Sequence, residues 1–210
     1  MIVAVVPAAG QSARMGQPKL SLPLGERTVL EHVVEELHNG GVAQVLVVTA
    51  PHVADLPALA HAAGADVYAL AEATFEMSST VEAGLRWLAE RHAPHTPEAF
   101  ILAPGDHPAF TAEVVRSLSD AYRDDPDRSI VVPVYEGKRG HPVLIGWQHV
   151  HGISELPPQK GINAYLRAHA AVTQELPVSE EGVLLNMNTQ ESYRALRAAI
   201  AARQSSATHD

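Results

Sequence analysis

Cysteine is absent from the 210-residue chain, which excludes disulfides, thiolate metal centres and a cysteine nucleophile together. Aromatic residues are scarce at 5%, so the core must be built mainly from Ala, Val and Leu, a composition suited to an α/β sheet covered by helices. Excess positive charge is missing as well. A formal net charge of −9 argues against a broad basic face for nucleic acid or anionic lipid and leaves room only for a local basic pocket around a small anion. No window approaches the roughly eighteen apolar residues of a membrane span, and the N-terminus lacks a basic segment leading into a cleavable apolar run. The expected setting is the cytoplasm, with no membrane and no nucleic acid as partner. Twelve histidines are present, but they are scattered, without an HxxxH or HExxH pair to hold a metal.

What is present alternates. Residues 2–6 form an apolar, β-branched run ended by Pro7, and further buried strands are expected at 44–49, 67–70, 100–103 and 130–134. Between them lie helical stretches. Thr28 and Glu31 have capping-box spacing, Asp55 and Thr111 stand at helix starts, and Ser79 or Thr80 is expected to cap a helix running to about residue 92. Strand–helix alternation with short connections predicts a mostly parallel sheet of right-handed βαβ units, with ligands beyond the C-terminal strand ends. The length suits one domain, placed at 1–203, with a polar tail at 204–210.

The strand-end rule gathers several segments at one edge. "PAAGQSARMGQPK" follows the first strand, yet its spacing matches neither the Walker A nor the dinucleotide fingerprint. Small residues Ala8, Ala9 and Gly10 let backbone N–H groups approach an anion, Arg14 offers a planar fork and Lys19 a point charge, a set suited to polyphosphate. An ordinary surface loop with two solvated cations would have the same composition. "PGDHP" puts Asp106 at a strand end, either as a Mg²⁺ ligand or as the cap of the next turn; His107 is either a ligand contact or turn surface. "EMSST" offers three hydroxyls, one for a helix cap and others for a ribose or base. "GKRGHPV" carries Lys138, Arg139 and His141 on a glycine loop, either at the same edge or as a hairpin with solvated charges. Asn188 with Glu191 has capping-box spacing for the last helix, and Asn186 and Asn188 can also offer neutral oxygens to a metal shared with Asp106.

Taken in order, "AAGQSARMGQPKL", "MSSTVEAGL", "PGDHP", "RGHPVLIG" and "NMNTQES" resemble the MobA-like NTP transferases, in their molybdenum cofactor cytidylyltransferase branch, over about residues 2–200. The resemblance implies a single-domain, three-layer α/β/α nucleotidyltransferase fold, Rossmann-like, with a mostly parallel sheet. It implies transfer of CMP from CTP to the terminal phosphate of a molybdopterin acceptor, with Mg²⁺ or Mn²⁺ as cofactor, pyrophosphate as leaving group and a cofactor-accepting enzyme as a downstream partner. The residues follow position by position: Ala8, Ala9 and Gly10 near base and ribose; Arg14 and Lys19 on the phosphates; Ser79 and Thr80 toward the nucleoside; Asp106 on the metal, with Asn188 beside it; Arg139, Gly140, His141 and Pro142 on the acceptor side. Arg14, Lys19 and Asp106 would perform the chemistry. One departure bears on the base. Asn186 and Asn188 stand where this branch usually has an aspartate pair, and the guanylyltransferase branch often carries Asn-x-Asn-Thr there, so GTP stays open beside CTP.

Overall fold

The computed structural model describes residues 1–10, 18–72, 76–125, 127–157 and 160–207, with 201–207 described by their backbone alone. The chain opens with β1 (Ile2–Pro7), the short hairpin β2 (Pro23–Leu24) and β3 (Arg27–Thr28), and α1 (Val29–Asn39). It continues through β4 (Gln44–Thr49), α2 (Leu56–Ala62), β5 (Asp66–Ala69), α3 (Met77–His92), β6 (Ala99–Leu102) and α4 (Ala112–Asp124). The remainder comprises β7 (Ile130–Tyr135), β8 (Lys138–Arg139), β9 (Val143–Gly146), α5 (Val150–Ser154), α6 (Ile162–Ala168), β10 (Thr173–Pro177) and α7 (Gln190–Ala207).

The main sheet runs β10-β7-β9-β6-β1-β4-β5, with β8 paired to β7. β1 is parallel to β4 and β6, β4 to β5, and β7 to β10. The alternating residues of β1 explain the layering. Ile2, Ala4 and Val6 pack with α1, α2, α4 and α7, whereas Val3 and Val5 pack with α3, α5 and α6. Burying each Ile or Val side chain contributes about 1.5–3 kcal/mol, so a central strand that is apolar on both faces anchors both helical layers. The result is a three-layer α/β/α fold with a mixed, mostly parallel sheet.

The parallel expectation needs one amendment. β9 is inserted antiparallel between β6 and β7, with Leu102 opposite Val143 and Ile130 opposite Ile145. β7 therefore never pairs with β6. This reversal positions the site: β9 begins at the edge where β1 and β6 end, so the segment entering β9 reaches the same place as the loops leaving them.

Helix starts follow local chemistry. Thr28 Oγ1 accepts from the Glu31 backbone N–H at 3.3 Å while the Glu31 carboxylate accepts from the Thr28 N–H at 2.6 Å, completing the capping box of α1. α3 differs from expectation, because it begins at Met77 with Glu76 in the capping position, no side chain caps it, and Ser78, Ser79 and Thr80 fall inside its first turn. Gly84 lets α3 lie close on the sheet, since a Cβ there would come within 2.7 Å of Val48 Cγ2 and 3.2 Å of Val5 Cγ1. α7 also starts differently: Thr189 Oγ1 accepts from the Ser192 N–H at 3.1 Å, so the cap belongs to Thr189 rather than Asn188. It extends through Ala207, which takes residues 204–207 into the helix. Among the described residues, no helix is long and apolar enough to cross a membrane.

Candidate functional site

Four segments meet at the C-terminal edge of the sheet. Parallel pairing of Val5 with Leu102 sets the exits of β1 and β6 side by side, and the Gly105 N–H donates to the Pro7 carbonyl at 3.4 Å. The loop at 104–106 crowds this point so closely that a Cβ on Gly105 would sit 3.0 Å from Leu20 Cδ1. The Met187 N–H donates to the Asp106 carbonyl at 2.8 Å, which ties the 186–188 segment to the same place. Strand pairing thus sets Val5 beside Leu102, 97 positions further along the chain.

Lys19 is the hub. Its ammonium donates to Asp106 Oδ2 at 2.5 Å and to Asn188 Oδ1 at 3.1 Å, and Asn188 Nδ2 donates to Asn186 Oδ1 at 3.0 Å. Lys19 and Asp106 are 16% and 18% exposed, shielded enough for the charge-assisted bonds to matter and open enough for a ligand to compete. Because Thr189 caps α7, the Asn188 side chain is released to face Lys19. Two oxygens therefore converge on one cationic centre.

Beside this cluster lies a cavity of about 210 Å³, lined by Pro7, Ala8, Ala9 and Gly10 at the β1 exit, by Lys19, Leu20 and Asp106, and by Thr80 on α3. Ser79 lines neither this cavity nor its neighbour. Arg14 lies in the segment 11–17, outside the described residues. The second cavity, about 180 Å³, shares Glu76 and Met77 with the first and continues past Ser78 and Leu102 to His141 and the start of α6.

The expected acceptor group divides. His141 lines the second cavity. Arg139 does not: it sits on β8, exposed, with Nε donating to Glu175 Oε1 at 2.8 Å. Gly140 is buried and meets Val183, where a Cβ would fall 2.6 Å from the Val183 carbonyl oxygen, so its smallness serves the approach of the loop to that segment. Pro142 follows a cis peptide bond and leads directly into β9.

Sequence reasoning left His107 undecided and did not single out Glu76 or Asn163, since nothing local marks them. The His107 and His141 rings stand edge to face with centroids 4.8 Å apart, and His107 Nε2 lies 4.0 Å from Asp106 Oδ1. Burial pushes His107 below the ordinary histidine range, against the pull of the Asp106 carboxylate, with Lys19 adding to the fall. His141 is pushed down to about 4, chiefly by burial and then by His107. Both rings are neutral near pH 7. The Nδ1 atoms of both are buried and find no hydrogen-bond partner among the described residues.

The MobA-like NTP transferase domain family matches residues 4–173. Rv0371c from Mycobacterium tuberculosis H37Rv is similar in structure, with 25% identity, a TM-score of 0.80 and coverage of 94% of this chain and 99% of that one. The same mycobacterial protein has been solved in complex with manganese, with a TM-score of 0.75 and coverage of 94% of this chain and 98% of that one. A nucleotidyl transferase from Methanothermobacter thermautotroptrophicus shares the fold at 21% identity and a TM-score of 0.80, covering 97% of this chain and 99% of its own. A nicotine blue oxidoreductase from Paenarthrobacter nicotinovorans is 26% identical over 202 residues, covering 93% of this chain and 96% of that protein. With the family match spanning most of the chain and the sheet edge arranged as described, the chain belongs to the MobA-like NTP transferases, nucleotidyltransferases by family and by fold.

Proposed function

We propose that the protein is a cytoplasmic enzyme that transfers CMP from CTP to the terminal phosphate of a molybdopterin-type acceptor, with release of pyrophosphate. The observation that carries this reading is the convergence of Asp106 and Asn188 on the Lys19 ammonium beside a cavity lined by residues 7–10, Lys19 and Asp106. Ala8, Ala9 and Gly10 leave room for base and ribose, Thr80 faces them from α3, and Lys19 meets the phosphates. Arg14 would add a second cation. CTP is favoured by the "PAAG" opening combined with "RGHPVL". In the reaction an acceptor phosphate oxygen attacks the α-phosphorus while the bond to the bridging oxygen breaks and pyrophosphate leaves. That chemistry needs no covalent nucleophile, only alignment of two anions and neutralisation of their charge.

Mg²⁺ or Mn²⁺ fits this donor set on one condition. Asp106 Oδ2 and Asn188 Oδ1 already point at a single cation, and no group of three or more His, Asp or Glu side chains gathers among the described residues. One carboxylate and one amide oxygen match a Mg²⁺ site that substrate phosphates complete. Held there, the ion would supply charge neutralisation at the phosphates. The protein's own part is to hold the Asp106 carboxylate at the strand end and to let Lys19 exchange that partner for phosphate.

Pyrophosphate release with CTP, GTP, ATP and UTP, each with Mg²⁺ and a molybdopterin-type acceptor, tests the reading. CTP should give the highest turnover, and Asp106→Ala should abolish it while the fold persists. Wild-type turnover in that variant would remove Asp106 from the metal role. A binding protein without catalysis is the second reading, favoured by the ammonium standing between the two expected metal ligands. It requires nucleotide binding with no pyrophosphate from any pair.

A further inference from the structure

The cluster around Lys19 closes on itself. Its ammonium meets Asp106 Oδ2 at 2.5 Å and Asn188 Oδ1 at 3.1 Å, and Asn188 Nδ2 meets Asn186 Oδ1 at 3.0 Å. These side chains hold one ammonium, one carboxylate and two neutral amides, so their charges cancel. The balance depends on position 188. An amide oxygen there accepts from the ammonium as a carboxylate would, but it adds no negative charge for a further cation to neutralise.

A free divalent cation would need the same two oxygens. To reach them it must shed part of a tightly held water shell and displace the ammonium from a charge-assisted bond, where Lys19 and Asp106 are only 16% and 18% exposed. A doubly charged ion facing a single carboxylate recovers little of that cost. A polyphosphate changes both sides of the exchange. Some of its oxygens receive the displaced ammonium, and others complete the coordination of the ion.

The local structure suits a move of one side chain. Lys19 opens a single 3₁₀ turn, Lys19–Ser21, anchored by buried Leu20 against the Gly105 loop. The Asn188 N–H donates to Ser192 Oγ at 3.1 Å, and the Met187 N–H donates to the Asp106 carbonyl at 2.8 Å. Both oxygens are thus carried on tethered backbone, whereas the ammonium ends a flexible stem. Lys19 and Asp106 also line the first cavity, so a displaced ammonium stays at its wall.

We propose that the Lys19 ammonium is a built-in occupant of the metal position, closing it to free divalent cations until a polyphosphate draws the ammonium away. The neutral Asn188 permits this closure, because one ammonium balances one carboxylate and would not balance two. The proposal rests on the transferase reading above and adds the order in which the ligands enter: polyphosphate before the metal or together with it.

Mn²⁺ titrated into the full chain without nucleotide, followed by the electron paramagnetic resonance signal of the free ion, tests the closure. Lys19→Met should bind Mn²⁺ about 10-fold more tightly than wild type, the factor equivalent to one charge-assisted hydrogen bond. Adding Asp106→Asn to that variant should cancel the gain, which assigns the ion to this carboxylate. Asn188→Asp keeps Lys19 in place, so it stands as a test even if Lys19→Met folds poorly. It should also tighten Mn²⁺ by about 10-fold, since the Asn186 amide can turn to donate to the new carboxylate. Raising NaCl from about 0.05 M to about 0.5 M should preserve these ratios, because competition at a shielded site is screened far less than a general surface-charge effect. Wild-type Mn²⁺ affinity in either folded variant, or a gain that salt removes, would overturn the closure. Pyrophosphate release separates the two claims: turnover without the Mn²⁺ gain removes the closure alone, and the Mn²⁺ gain without turnover from any nucleotide removes the transferase reading alone.

Discussion

Lys19→Met removes an ammonium while keeping most of the stem that reaches it. The lost group donates to Asp106 at 2.5 Å and to Asn188 at 3.1 Å, between side chains 16% and 18% exposed for the ion pair. Exposed pairs contribute about 0–1 kcal/mol, and stranding one partner of a fully buried pair costs about 3–5 kcal/mol. This pair is shielded but reached by solvent, so the variant should lose about 1.5–2.5 kcal/mol of unfolding free energy. Asp106→Asn keeps the shape and an acceptor oxygen and should lose about 1 kcal/mol. The double variant should lose less than the two together by at least about 1 kcal/mol, because the second change removes the charge the first left unpaired. Urea unfolding of the four proteins, free of metal and nucleotide, measures the cycle. Additivity within about 0.3 kcal/mol would refute the coupling. CTP affinity in the same metal-free buffer supplies the functional half. Lys19→Met should weaken it by about 10–100-fold, whereas Asp106→Asn should hold or strengthen it by removing a negative charge beside the phosphates. Changes in the same direction would mark the pair as structural support rather than a phosphate site.

The neutral histidines make a pH prediction whose sign is fixed. With His141 at about 4 when folded against 6.5 in the reference state, the unfolded chain takes the proton first as pH falls. Stability present above about 6.5 is therefore lost between 6.5 and about 4, by at most about 1.4 kcal/mol per pH unit. Between pH 7 and pH 5 the wild type should lose about 1–2 kcal/mol more than His141→Gln in urea titrations, and equal slopes would contradict the burial argument. Gly140→Ala should cost about 1–3 kcal/mol by overpacking against Val183; a melting temperature within a degree or so of wild type would show that Val183 yields freely.

The strongly periodic and self-contained features were legible in the sequence. The β1 run, the Thr28–Glu31 capping box and the placement of the Lys19 and Asp106 segments at one sheet edge each follow from local chemistry plus the strand-end rule. The start of α3 was misplaced because three hydroxyls in a row look like caps, yet the backbone was already helical at Met77. The α7 cap was placed one residue early because Asn outranks Thr as a cap in isolation and Glu191 completed a capping-box spacing with it. Long-range partners left no local trace. Nothing in "KRGHP" reveals that Arg139 turns to Glu175 while His141 turns to His107, since those choices are made by β8 and β9 pairing with different neighbours.

The antiparallel β9 also divides the site by origin. The first cavity, the proposed nucleotide half, is built where β1 and β6 leave the sheet, beside Lys19 and the 186–188 segment. The second cavity is built where the chain enters β9 and α6, joined to the first half by the Glu76–Met77 rim of α3. Parallel neighbours in register constrain the first half tightly, because moving either loop disturbs the pairing of Val5 with Leu102. The second half hangs on the entry to a single strand and the first turn of a short helix. Changes at Asn163 or Gly161 should therefore reshape the second cavity without moving Lys19 or Asp106, so the two cavities should be separable by substitution within this one fold.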